Sequence, residues 1–181
     1  MCYYESGSSN EVTLVFSCPG QKEMKLKRPA AGTTGTNLDI VLKYLNNYKG
    51  IEWNRENITI TNSWPNIEYI KFTGRSEATK HEITHSDNLE RLYDDIKDTT
   101  KYIICFGENA NYAVNQINQN LLASIISARH LSSRNLNANI KEDINGNKII
   151  KSTTDIEKEK NTKARLEVVA KEIKEAIEDL E

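Results

Sequence analysis

Four short apolar runs alternate with segments of helical spacing, and that alternation limits most strongly what this chain can fold into. Residues 11–17 (EVTLVFS), 58–62 (ITITN), 101–106 (KYIICF) and 123–128 (ASIISA) are rich in β-branched or aromatic side chains and too short for helices. Between them, Leu38, Val41, Leu42 and Leu45 recur at helical spacing over residues 37–48, with Thr36 or Asn37 as cap. Residues 87–96 repeat the pattern with Leu89, Leu92 and Ile96, and residues 108–117 read as a further helix. Leu166, Val169, Ala170, Ile173, Ile177 and Leu180 form one face of a closing helix over about residues 162–180. Strands alternating with helices predict an α/β fold, a three-layer α/β/α sandwich around a mostly parallel four-stranded sheet, in one domain over residues 1–181.

The remaining segments read as connections. Residues 20–35 are polar, basic and glycine-containing, hence a long loop, and loops of that length in compact domains usually carry function. Residues 138–155 read as irregular or a hairpin turning at Asn145-Gly146. Cys2, Cys18 and Cys105 are odd in number and widely spaced, so they predict reduced thiols rather than a metal or cluster site. No run reaches membrane-span length and the first residues lack a signal pattern, so the expectation is a soluble cytoplasmic monomer without cofactor. Net charge is −2, yet residues 21–28 (QKEMKLKR) hold four bases against one acid. A local basic patch of that kind suits phosphate. His81 and His85 lie in a polar stretch and read as solvated.

In open parallel sheets the working site lies beyond the carboxyl ends of the strands. The residues there are Ser17-Cys18-Pro19-Gly20, Asn62-Ser63, Gly107-Glu108 and His130-Leu131-Ser132. Within this set, Cys18-Pro19-Gly20, Glu23, Arg28-Pro29, Gly32 and Gly35 resemble the first motif of the uracil-DNA glycosylase superfamily, in its branch often called family 4. Thr61-Asn62 resembles the Thr-Asn that reads the base. Cys105-Phe106-Gly107 with Ala110 resembles the strand, glycine and alanine before the last strand. The run HLSSRNLNAN from His130 resembles the second motif, and its Arg134-Asn135 pair is similar to the single-strand-selective branch.

The resemblance implies a DNA glycosylase that flips a nucleotide into a pocket and hydrolyses its N-glycosidic bond. His130 would stabilise the departing base and Asn62 would read it, with Ser17 and Cys18 as the remaining catalytic positions. Pro19, Gly20, Glu23, Ala30, Ala31 and Ser132 would line the base site. Lys22, Lys25, Lys27, Arg28, Gly107, Ser133, Arg134 and Asn135 would meet DNA, with Leu131 or Arg134 as the wedge that fills the vacated stack.

Four departures qualify the match. Cys18 stands where other branches place a water-positioning carboxylate or amide, and Ser17 stands where family 4 has Glu. Glu23, Asp39 or backbone carbonyls would then orient water. Ala30 replaces an aromatic ring that stacks on uracil, which enlarges the pocket. The iron–sulfur cysteines of family 4 are absent, and Leu131 replaces a proline. The missing ring points to a target beyond uracil, such as glucosylated hydroxymethylcytosine in viral DNA, and so to antiviral defence as well as base-excision repair. Two other readings stand beside this one: a catalytically inactive binder of modified or damaged DNA, and a hydrolase using Cys18 and His130 as a nucleophile pair.

Overall fold

The computed structural model describes residues 3–180, so Cys2 lies outside it. Its strands are β1 Val12–Phe16, β2 Thr59–Asn62, β3 Tyr102–Phe106 and β4 Ser124–Ala128. All pair in parallel, in the order β2-β1-β3-β4. Side chains of successive strand residues point to opposite faces, and each face finds its own helices. Leu14, Phe16, Ile60, Ile104, Phe106 and Ile126 face one core, which they share with α2 (Gly32–Leu45), α7 (Ser133–Asn139) and α8 (Asp155–Glu178). Val15, Ile103 and Cys105 face a second core with α4 (Lys80–Ile83), α5 (Ser86–Ile96) and α6 (Glu108–Asn115). The expected three-layer α/β/α arrangement is therefore present. Two further helices, α1 (Gln21–Leu26) and α3 (Ile70–Thr73), lie in the connections after β1 and β2.

Two expectations need correction, and a third is met. Residues 20–35 are not one long loop, because α1 occupies their first half and α2 begins at Gly32. Glycine and threonine are weak helix formers, but Leu38, Val41 and Leu42 bury the same helix, and packing overrides local preference. The closing helix starts at Asp155 rather than near residue 162. Thr154 Oγ1 accepts the Glu157 N–H at 3.2 Å while Glu157 returns a bond to the Thr154 N–H, a capping box that starts the helix before its apolar stripe. The 138–155 segment does turn at Asn145-Gly146, with Glu142 bridged antiparallel to Lys148 and Gly146 at φ +80°.

Sheet edges invite pairing with other chains. Here the outer edge of β2 is covered: Glu5 and Ile60 exchange backbone hydrogen bonds at 2.9 and 2.8 Å. Among the described residues no helix is long and apolar enough to cross a membrane.

Candidate active site

A cavity of about 520 Å³ opens at the carboxyl ends of the strands, within the size range of small-ligand sites. Phe16, Ser17, Cys18, Asn62, His130, Ser132, Arg134 and Asn135 line it, with Gly20, Glu23, Ala30 and the 68–77 segment completing the wall. Residues far apart in sequence meet here because the strand ends are level: Phe16 is in register with both Asn62 and Phe106, and Phe106 with Ala128.

The ends of β1 and β2 are stitched together. Ser63 N–H donates to the Phe16 carbonyl at 2.7 Å, Ser63 Oγ to the Ser17 carbonyl at 2.8 Å, and Trp64 N–H to the same carbonyl at 2.9 Å. From α5, Arg91 donates to the carbonyls of Asn62 and Ser63 at 3.0 and 3.2 Å, and Arg91 is itself held by Asp95 at 2.6 Å. The Asn62 backbone is thus fixed while its side-chain Nδ2 has no partner among the described residues. Asn62 is 1% exposed and Ser17 4%. Four buried side-chain polar atoms among the described residues lack a hydrogen-bond partner, and three of them belong to the cavity wall: Ser17 Oγ, Asn62 Nδ2 and Asn135 Oδ1. An orphaned buried polar group costs about 1–3 kcal/mol. Three at one cavity give its wall unmet donor and acceptor capacity that water or a polar ligand can satisfy.

His130 follows β4, and its Nδ1 accepts the Ser132 N–H at 3.1 Å. An accepting Nδ1 carries no proton, so the neutral ring carries it on Nε2 as a donor. Burial pushes the imidazole below its ordinary pKa of 6.5 and keeps it neutral. Gly107 makes room for this ring. At φ +101°, a Cβ there would come within 3.3 Å of Ser17 Oγ and 3.4 Å of His130. Ser132 also caps α7 by accepting the Asn135 N–H at 3.3 Å, which sets Arg134 and Asn135 at the cavity.

Glu23 shapes the wall from beneath. Its two carboxylate oxygens accept the Gly20 and Ala31 N–H groups, each at 3.0 Å. Ala30 lies in the left-handed region at φ +43°, and Arg55 holds its carbonyl at 3.1 Å and that of Pro29 at 3.0 Å. Small side chain and strained backbone together bring the chain close to the cavity at Ala30.

The structure brings together His130, Asn62, Ser17, Cys18, Gly20, Glu23, Ala30, Ser132, Arg134 and Asn135 of the expected site. Pro19 and Ala31 are buried behind the wall, where the Pro19 carbonyl accepts the Glu68 N–H at 2.9 Å. Lys22, Lys25, Lys27 and Arg28 are exposed on and after α1, with Arg28 3.3 Å from Glu5. Ser133 is exposed beside the cavity, and Gly107 faces a neighbouring hollow that it shares with His130 and Asn135.

Leu131 is corrected outright as a wedge. It is 0% exposed in the α2–α8 core, and its carbonyl accepts the Asn37 Nδ2 bond at 2.8 Å. A branched apolar side chain next to an open core position is more stable inside than presented to water. Arg134 is left as the exposed candidate. Leu131→Ala is expected to cost about 2–5 kcal/mol of stability, and Arg134→Ala less than ~0.5 kcal/mol while weakening DNA binding. Urea unfolding and fluorescence anisotropy on both variants check this; a stable Leu131→Ala protein with weakened DNA binding would return Leu131 to the interface.

Asp39 is removed as a water-orienting group: it is exposed, lies 3.9 Å from Arg55 and is not part of the cavity wall. Sequence reasoning missed Phe16, stacked on Phe106 at 4.8 Å, because a strand residue reads as core. Glu68 and Glu77 were missed because their segment has no periodicity. Among the described residues no group of three metal-ligating side chains is gathered. No protein-family model matches the chain, and no curated protein does.

Proposed function

We propose that the chain is a monofunctional DNA glycosylase that hydrolyses the N-glycosidic bond of a flipped-out base and leaves an abasic site. The observation that carries this reading is a neutral imidazole, aimed as an Nε2–H donor, in the same cavity as the orphaned Asn62 amide. A departing pyrimidine gathers negative charge on its ring nitrogen and its exocyclic carbonyl oxygens. A donor fixed where that charge develops contributes about 2.7–4 kcal/mol by analogy with oxyanion-hole donors. Asn62 Nδ2 offers a donor to a base carbonyl, and Ser17 and Asn135 complete the recognition. The basic surface of α1 and Arg134 supplies phosphate contacts. The target is uracil or, in the space that Ala30 leaves, a bulkier modified pyrimidine such as glucosylated hydroxymethylcytosine, which would give the protein an antiviral role.

The Cys18–His130 hydrolase reading loses support. The Cys18 thiol donates to the Ser76 carbonyl at 3.6 Å, and burial with nearby carboxylates pushes its pKa up to about 12. A nucleophilic cysteine needs the opposite shift.

The test is mass spectrometry of bases released from DNAs containing uracil, hypoxanthine, hydroxymethylcytosine and its glucosylated forms. One base is expected to be released, and to be retained when Asn62→Ala replaces the wild type. Tight binding to one of these DNAs with no release from any would instead establish the inactive-binder reading.

A further inference from the structure

Hydrolysis needs a group that holds water against the sugar, and the loop after β1 offers a thiol and a hydroxyl rather than a carboxylate. Three carboxylates nevertheless line the cavity: Glu23, Glu68 and Glu77. Two are fully engaged. Glu23 accepts two backbone N–H groups. Glu68 is buried, takes two Arg75 N–H groups at 2.6 and 2.9 Å, and accepts the Trp64 indole at 3.2 Å.

Glu77 differs. Its one hydrogen bond among the described residues comes from Asn109 Nδ2 to Oε2 at 3.1 Å, which leaves Oε1 without a partner. The same Asn109 amide donates to the Ala78 carbonyl at 3.1 Å, and the Cys18 thiol donates to the Ser76 carbonyl. Residues 76–78 are thereby pinned to α6 on one side and to the β1 loop on the other. The carboxylate is held at the wall of the cavity that also contains the orphaned Ser17 and Asn62 groups.

We propose that Glu77 is the carboxylate that positions and deprotonates the attacking water. The assignment rests on the glycosylase reading. In the step, the water oxygen bonds to the sugar anomeric carbon as the N-glycosidic bond breaks. The bond pair leaves with the base, which is held as an anion by His130 Nε2–H and then takes a proton from solvent. The water proton passes to Glu77 and returns to solvent after product leaves. Partial withdrawal from water, and then the nearby Glu108, raise the Glu77 pKa above its ordinary 4.5 and make it a stronger base. The titratable and charged groups around it are Glu108 of α6, itself 3.1 Å from Lys80 of α4, the Glu68–Arg75 pair of the preceding segment, and Glu23, His130 and Arg134 of the same cavity wall. Cys18, which faces it from the β1 loop, remains a neutral thiol.

The experiment is single-turnover release of the base that the wild type excises, at saturating enzyme and across pH. Glu77→Gln is expected to lower the rate about 10²–10⁴-fold, the range for a general base, with unchanged DNA affinity. The wild-type rate is expected to fall on the acid side through one ionisation above the ordinary carboxylate range, and that limb to vanish in Glu77→Gln. Added formate is expected to restore part of the rate to Glu77→Ala. Wild-type release with an undiminished Glu77→Gln rate overturns the assignment and leaves the glycosylase reading standing. Should the variants fail to fold, a wild-type profile with no acid limb overturns it equally. If the wild type releases no base from any DNA, the glycosylase reading itself falls and takes the assignment with it.

Discussion

His130→Ala is expected to lower single-turnover base release by about 10²–10³-fold, the loss seen when one donor of a preorganised oxyanion site is removed. The expectation follows from a ring whose Nδ1 is committed to the Ser132 N–H, so that Nε2–H is the one donor it can offer. Because burial holds the imidazole neutral below pH 6.5, its contribution persists on the acid side of neutrality, where a solvated histidine would already be charging. Stability carries the same signature. The unfolded chain protonates His130 near 6.5 and the folded chain only at lower pH, so the unfolded state binds the proton first. The stability tied to neutral His130 is complete above pH 6.5 and is lost as pH falls toward the folded-state value. Melting curves should therefore show a shallower decline below pH 6.5 for His130→Ala than for the wild type. A variant that releases base at the wild-type rate would remove His130 from the chemistry.

Gly35→Ala is expected to disable the site from outside it. A Cβ at Gly35 would lie 2.2 Å from the Ala30 carbonyl oxygen and 3.1 Å from its carbon. Both are backbone atoms that cannot swing aside, and Ala30 is already held in the left-handed region by Arg55. Either α2 withdraws or the 28–31 segment moves, and both displace the wall at Ala30. Overpacking of this kind costs about 1–3 kcal/mol. The urea midpoint should drop with an unchanged slope, and base release should fall further than the fraction unfolded explains. Thr33→Ala, on the exposed face of the same helix, is the control. Equal midpoints for the two variants would show that the close approach at Gly35 is not required.

The strands were legible because short continuous runs of β-branched and aromatic side chains are what a parallel sheet buried on both faces requires. Ser17, Asn62 and His130 were legible for a related reason: once a strand's end is known, the residue after it is known to face the site. What escaped has a common cause. In α3 and α4, four residues each, no apolar period has room to develop, so the segment that brings Glu68 and Glu77 to the cavity looked like loop. The early start of α2 was hidden by Gly32, Thr33, Thr34 and Gly35, whose local preferences oppose the helix that Leu38 and Val41 enforce. The start of α8 did carry a signal, Thr154 with Glu157 three residues on, but residues 155–161 hold little apolar periodicity to draw attention to it. Leu131 was misplaced because position alone cannot tell a side chain aimed at DNA from one aimed at the core.

Level strand ends have a consequence for how the protein reaches its working form. Phe16 meets Asn62 and Phe106, and Phe106 meets Ala128, across sequence separations that only long loops can close. Pairing over such distances is slow, because chain entropy must be surrendered before any contact rewards it. A slip of one residue in any strand would turn the residues that follow it toward the opposite layer. The imidazole, the amide and the hydroxyl therefore come into reach of one another together, when the last parallel strand docks in register. A chain short of that point has hydrophobic cores in the making and no competent pocket, so during refolding, activity should return with the slowest phase of sheet assembly rather than with the appearance of helix.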